Sequence, residues 1–363
     1  MVEQLARDTL PKLLRWNYEK YGSKKVAMRK KDYGFWKEYA WKDYYEKVKY
    51  FSLALVDLGL EPGDGVAIGG DNAPEWYWAD LAVVSAGARV TGGFFPDAIS
   101  SEVKYILKHS QSKFVVVEDQ EQVDKILQIK EELPNLKKII YWDAKGLAEY
   151  HEPILMSFKQ MIEMGKRYQE AHPGYFEEMV EQGKEEDVAF LCYTSGTGGL
   201  PKGAALSHKS LISSAGMCIE RLHLKEEFNM FSYVPLAWIA EHVAGVAPQL
   251  VLGMTANFGE EPETMQEDIR AIGPDFIFYS AKLWESIVSQ IQTRISDAAF
   301  LKRFFYHLFL PVGYKKANIY FAGKKLSLLW KIIYWIAYQV VFRPLKDKFG
   351  LLQLKSCGSG AAT

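Results

Sequence analysis

The sequence predicts an α/β fold with doubly wound, largely parallel sheets, and three observations predict it. Short apolar runs alternate with longer helix-patterned stretches along most of the chain. The runs are spaced by the lengths that strand–helix–strand crossovers need. One run, Val188-Ala189-Phe190-Leu191-Cys192-Tyr193, leads directly into a loop rich in glycine and hydroxyl side chains.

In chain order, Gly65-Val66-Ala67-Ile68 reads as a short buried strand. A helix follows over residues 71–86, with Pro74 near its first turn and Gly87 at its end. Residues 89–92 are strand-like, and residues 100–109 are helical with Ser100 or Ser101 as the cap. Lys113-Phe114-Val115-Val116-Val117 and Lys138-Ile139-Ile140-Tyr141-Trp142 are two further strands. Residues 160–187 are polar and charged and read as surface helix. The run at 188–193 reads as a buried strand.

At 363 residues and 41.4 kDa, the chain has room for about two domains, or one large domain with lobes. A hydrophobic fraction of 48% with 25% charged residues excludes disorder for the bulk. Lys and Arg total 44 against 45 Asp and Glu, so there is no global basic field for nucleic acid. Cys192, Cys218 and Cys357 are widely separated, which gives neither a disulfide framework nor a zinc site and suits a reducing compartment. The N-terminal stretch carries Glu3 and Asp8 and has no apolar core, so it does not read as a secretory signal.

The most informative stretch runs from Tyr193 to Gly203: Tyr-Thr-Ser-Gly-Thr-Gly-Gly-Leu-Pro-Lys-Gly. Glycines let a backbone bend around a ligand and turn its N–H groups inward. Hydroxyls of Thr194, Ser195 and Thr197, with the ammonium of Lys202, complete a cage suited to phosphate oxygens. The loop is not a Walker A motif, because Pro201 precedes the lysine and Gly203 follows it. Its glycine spacing also differs from the dinucleotide-binding Gly-x-Gly-x-x-Gly.

The loop resembles the phosphate-binding loop of the adenylate-forming superfamily, to which acyl-CoA synthetases, adenylation domains and luciferases belong. The one departure is Gly198, where a second consecutive hydroxyl residue is usual. The resemblance extends along the chain. Downstream, Ser207-His208 opens the next helix with Ser207 as its cap. Upstream lie Tyr39-Ala40-Trp41-Lys42-Asp43-Tyr44, Leu58-Gly59-Leu60-Glu61-Pro62-Gly63-Asp64, Asn72-Ala73-Pro74-Glu75-Trp76 and Ile106-Leu107-Lys108-His109-Ser110. The last two spellings look like the long-chain fatty acyl branch. Segment 232–241 resembles the family's acyl-pocket lining, with Trp238 where many relatives carry His. Phe278-Tyr279-Ser280-Ala281-Lys282-Leu283-Trp284-Glu285 resembles a helix start of the family, and Gly358-Ser359-Gly360-Ala361 resembles its adenine-contacting strand end.

The resemblance implies two packed, largely parallel doubly wound sheets, incomplete at the C-terminus. One lobe would span about residues 50–215, and the other about 1–49 plus 216–363. It also implies a two-step reaction with ATP, Mg2+ and coenzyme A: a fatty carboxylate is adenylated with loss of pyrophosphate, then transferred to the thiol. Lys202 and Thr197 take the catalytic roles, with Thr197 also on the metal. Tyr193, Thr194, Ser195, Gly196, Thr197, Gly198, Gly199 and Lys202 hold the nucleotide, joined by Gly358, Ser359, Gly360 and Ala361. Trp238, Glu241 and Tyr279 line the acyl pocket. Family segments beyond Thr363, including the small C-terminal domain, are expected to be missing, leaving a truncated and inactive piece. Two alternatives stay open: an adenylating enzyme for an aryl or amino acid, and a non-catalytic membrane-docking protein that keeps the fold.

Charge is unevenly spread. Residues 302–348 hold ten basic side chains against the single acid Asp347, a net +9, together with twelve aromatics. Leu326, Leu329, Trp330, Ile333, Ala337, Val340 and Val341 fall on one face at helical spacing. Lys331 interrupts this apolar stretch, which leaves it short for a membrane span. Basic heads with interfacial aromatics instead predict a peripheral patch for an anionic membrane. The expected setting is cytoplasmic, on the inner face of a membrane, without nucleic acid.

Overall fold

The computed structural model describes residues 7–91, 93–194 and 200–360, and the chain divides into two compact units, Met1–Phe258 and Gly259–Thr363. The first unit opens with α1 (Leu10–Tyr21). The Thr9 hydroxyl accepts from the Lys12 N–H at its start, and Gly22 turns the chain at its end with φ 52°. β1 (Val26–Asp32) and β2 (Phe35–Ala40) form a hairpin. Its two turn residues, Tyr33 and Gly34, both have positive φ, which matches the twist of the flanking strands. Then follow α2 (Trp41–Asp57), β3 (Gly65–Gly69), α3 (Pro74–Ser85), β4 (Arg89–Thr91), α4 (Ser100–Ser110), β5 (Ser112–Val117), α5 (Gln120–Leu127), β6 (Lys138–Tyr141), β7 (Leu155–Ser157), α6 (Phe158–Ala171) and α7 (Tyr175–Gln182). The unit closes with β8 (Val188–Thr194), β9 (Lys202–Ser207), α8 (His208–Leu222), β10 (Asn229–Phe231), the single turn α9 (Ile239–Glu241), α10 (Ala247–Leu252) and β11 (Thr255–Phe258).

Two largely parallel sheets result. One has the order β7-β6-β5-β3-β4-β8-β9, parallel throughout except for β9, which runs antiparallel to β8. In the other, β10, β11 and β1 are parallel neighbours, and β2 is antiparallel to β1. In the seven-stranded sheet the chain steps from β3 to β4 on one side, then returns across β3 to β5 and on to β6. That reversal sends successive crossover helices to opposite faces and opens a crevice at the carboxyl ends of the strands, where α/β sheets bind ligands. α3 is buried nearly all round, as its unbroken apolar composition demands. It packs against β3 and β4 of one sheet and β1 of the other. Over the sheet face bearing Val115, Val117 and Ile139, α4 and α5 seal an aliphatic core with Val103, Leu107, Val123 and Ile126.

Several expectations need correction. The first crossover helix begins at Pro74, not residue 71, because the residue before a proline is disfavoured from helical conformation, and Ala73 is extended with φ −146° and ψ 158°. Neither Ser100 nor Ser101 caps α4. Ile99 occupies the cap, and the Glu102 carboxylate accepts from its N–H. α6 is not merely surface: Phe158, Met161, Ile162 and Gly165 are buried, and α6 packs on α2. β8 buries only Ala189 and Phe190, and Val188 is 40% exposed, since β8 lies one strand from the sheet edge. Gly92 lies outside the described residues.

The second unit contains α11 (Met265–Ile272), β12 (Phe276–Ser280), α12 (Ala281–Ser296), α13 (Phe300–Phe321), α14 (Leu328–Ala337), α15 (Arg343–Lys348) and β13 (Ser356–Gly360). β12 and β13 pair in parallel. α14 and α15 are joined by a wide π turn, Tyr338–Phe342. The apolar segment is therefore not one regular amphipathic helix. Ala337 and Val341 are buried, while Leu329 and Val340 of the expected buried face are 65% and 46% exposed. The π turn shifts the helical phase, and apolar residues occupy every side of α14.

Candidate functional site

The Tyr193–Gly203 stretch is a hairpin. β8 ends at Thr194, β9 begins at Lys202, and these two residues are paired across the ladder. β8 runs parallel to β4, so the hairpin loop leaves from the carboxyl edge of the sheet, the same edge as the loops after β3 and β4. Ser195, Gly196, Thr197, Gly198 and Gly199 lie outside the described residues. The two stems are firmly placed. Tyr105 of α4 donates its hydroxyl hydrogen to the Pro201 carbonyl at 2.7 Å. His109, one turn further on, hydrogen-bonds the Tyr193 hydroxyl through Nδ1 at 2.8 Å. The rings of Tyr105, His109 and Tyr193 pack on one another, and burial pushes the Tyr193 hydroxyl up to about 12, so it stays protonated. Gly203 leaves room for the Leu191 side chain, which a Cβ there would meet at 2.9 Å. Lys202 is exposed, and among the described residues its ammonium pairs with no carboxylate. A hairpin so braced, carrying an uncommitted cation, suits an anionic ligand.

The segment 232–241 is fixed from beneath by Asn72. Its amide nitrogen donates to the Ser232 hydroxyl and the Val234 carbonyl at 2.9 and 2.8 Å, and its oxygen accepts from the Leu236 N–H at 2.9 Å. Trp238 is 45% exposed and meets Phe95 edge-on at 5.9 Å, so it is not a core tryptophan. Glu241 is only 2% exposed, and its Oε1 accepts from the Ser232 hydroxyl at 2.6 Å and the Tyr77 hydroxyl at 3.2 Å. Burial without a cation pushes its carboxyl up to about 8. Its neighbour His242 pairs with the buried Asp80 at 3.0 Å. His208 accepts from the Leu10 N–H, and burial lowers its ring to about 4, so this histidine is a neutral structural acceptor.

In the second unit, Tyr279 lies opposite Ser359 on the β12–β13 pair, buried and edge-on to Trp284 at 5.0 Å. Gly358 is buried opposite Phe278, and Gly360 lies opposite Ser280. Ala361 lies outside the described residues. The Ser280 hydroxyl accepts from the Leu283 N–H, so α12 starts where its sequence places it. Sequence reasoning singled out the loop and the strand before it, but it missed the returning strand β9, Tyr105 and the bracing role of His109. For Tyr105 and His109, their spacing of four residues on one helix face was the available signal.

The AMP-binding enzyme family matches residues 14–328. A long-chain-fatty-acid–CoA ligase of Xenopus laevis is 27% identical across 99% of this chain and 48% of its own length. The human protein of that name is also 27% identical, across 98% of this chain and 52% of its own. The chain thus spans about half the length of the curated relatives it matches. Among solved structures, the A-PCP didomain of carboxylic acid reductase from Segniliparus rugosus superimposes with a TM-score of 0.68 at 14% identity, over 99% of this chain and 49% of that one. A fatty acyl-adenylate ligase from L. pneumophila gives 0.60 at 16% identity, over 77% and 45%. These likenesses show a shared fold, and with a family match covering most of the sequence, the chain belongs to the AMP-binding enzymes.

Proposed function

We propose that this chain is the nucleotide- and acyl-binding portion of an ATP-dependent long-chain fatty acid–CoA ligase. What carries the reading is the β8–β9 hairpin, braced by Tyr105 and His109 at the carboxyl edge of the sheet, with Lys202 uncommitted among the described residues. The names of the relatives that align with nearly the whole chain support the acyl class. In the proposed reaction a carboxylate oxygen of the fatty acid attacks the α-phosphorus of ATP, and the bond to the departing pyrophosphate breaks. The thiol of coenzyme A then attacks the acyl carbonyl, loses its proton, and AMP leaves. Such chemistry depends on positioning and charge neutralisation.

In this reading Lys202 and Thr197 act on the phosphates, with Tyr193, Thr194, Ser195, Gly196, Gly198 and Gly199 shaping the loop around them. Gly358, Ser359, Gly360 and Ala361 are the proposed nucleotide contacts of the second unit. Trp238 and Tyr279 are proposed acyl contacts, and Glu241 holds the Trp238 segment in place. Magnesium is proposed to enter with the nucleotide and to meet Thr197. Among the described residues no group of three His, Cys, Asp or Glu side chains is arranged to hold a metal. The lobe division at about residues 50–215 is supported by the strands: β3 to β9 all fall inside it, and β1, β2, β10 and β11 outside.

We further propose a cytoplasmic setting with residues 302–348 on an anionic membrane. No helix among the described residues is long and apolar enough to cross one. The large exposed side chains of this region, Phe304, Leu308, Phe321, Leu328 and Trp335 among them, support surface docking instead.

The acyl class is tested with non-hydrolysable acyl-sulfamoyl adenosines. The hexadecanoyl compound should raise the melting temperature well above the shift given by the benzoyl compound. Equal shifts, or a larger benzoyl shift, would turn the reading to an aryl-activating enzyme.

A further inference from the structure

The second unit holds a cleft that neither the hairpin nor the acyl segment uses. Its volume is about 720 Å³, within the range of small-molecule sites. The walls are largely apolar: Ile287 and Ile291 from α12, Leu310 and Ala317 from α13, and Phe342 and Leu345 from the π turn and α15. Among the described residues, two charged side chains line it, Lys316 of α13 and Lys346 of α15, and no acid does. Asp347, the acid nearest in sequence, is taken by Arg270 at 2.8 Å. Lys316 lies over the Tyr334 ring at 3.8 Å. Burial, with Lys316 as a further cause, lowers the pKa of Lys346. Two lysines lining one apolar cleft, with no carboxylate among its described lining residues, leave a positive charge that an incoming anion would neutralise.

We propose that this cleft binds a single-chain anionic amphiphile, a long-chain fatty carboxylate, at a site separate from the acyl pocket. The tail lies between α12 and α13, and the carboxylate meets Lys316 and Lys346. The apolar wall selects a hydrocarbon chain, and the lysine pair selects the charged head over a neutral one. The inference is separate from nucleotide binding, because no lining residue is one assigned to the phosphate hairpin, to the nucleotide contacts at 358–361 or to the acyl contacts Trp238 and Tyr279.

Two measurements on the full chain test it. A photoreactive diazirine analogue of palmitate, with peptide mapping, should label the stretches around 287–291, 310–317 and 342–351, and unlabelled palmitate should compete. Displacement of a fluorescent fatty-acid analogue by dodecanoate and by dodecanol then tests the head group. The double variant Lys316→Gln/Lys346→Gln should bind dodecanoate about tenfold more weakly, the scale of losing a charge-assisted contact, with dodecanol little changed. Its ATP binding and circular dichroism should match the parent chain. A second variant, Ala317→Phe, should narrow the cleft and weaken both ligands. Labelling confined to the first unit, or equal dodecanoate affinity in the double variant and the parent, would overturn the proposal.

Discussion

Glu241 is buried, with its carboxyl accepting from the Ser232 and Tyr77 hydroxyls and paired with no cation among the described residues. Its folded pKa of about 8 lies above the unfolded value of 4.5, so the folded chain favours the protonated form. The associated stability is complete below about pH 4.5 and is lost as pH rises through about 8. Glu241→Gln keeps an oxygen acceptor and removes the titration. In urea unfolding, the variant should match the parent near pH 5 and exceed it by roughly 2–4 kcal/mol at pH 9. Parallel pH profiles for the two chains would rule this out. At this scale, residues were legible when their chemistry is local. The Tyr193–Gly203 order announces itself within eleven residues. Asn72, Tyr105 and His109 act on partners 84 to 164 positions away, so although the spacing of Tyr105 and His109 marks a shared helix face, no local pattern names the partners.

Between α2 and α6 the decisive residue has no side chain. A Cβ on Gly165 would sit 1.7 Å from the Tyr50 carbonyl oxygen, so glycine permits the close approach of the two helices. Gly165→Ala should force them apart and lower stability by about 1–3 kcal/mol, the usual scale of overpacking. A denaturation midpoint at or above that of the parent would contradict this packing account. The polar composition of residues 160–187 concealed it, because only the inward stripe of α6 is apolar. The basic segment shows a related limit. Lys315 and Lys316 lie over Trp330 and Tyr334 at 3.4 and 3.8 Å, so these lysines brace α13 against α14. Lys324 and Lys325 lie exposed in the turn between the two helices. They are the better probes of membrane docking, at about 1 kcal/mol for each charge near an anionic surface. Lys324→Glu/Lys325→Glu should cut co-sedimentation with phosphatidylglycerol vesicles at low salt by about 30-fold or more. Unchanged binding, or binding by the parent chain that ignores salt, would defeat the docking proposal.

Across the whole chain, the alternation of strand and helix patterns was enough to expect parallel sheets, because crossover spacing is a property of sequence. The strand order was less accessible. The return across β3, which creates the crevice, depends on which helix face meets which sheet face. The antiparallel β9 was hidden because Lys202-Gly203-Ala204-Ala205-Leu206-Ser207 reads as the tail of a loop rather than as a strand. That strand fixes Lys202 at the carboxyl edge of the sheet, and on its position the functional account rests. The most direct test is titration calorimetry of ATP into the parent chain and into Lys202→Ala, which removes the ammonium and leaves the hairpin backbone intact. The account predicts ATP binding by the parent and a loss of about 1–3 kcal/mol in the variant, the scale of one charge-assisted contact. Equal ATP affinity in the two chains would contradict it.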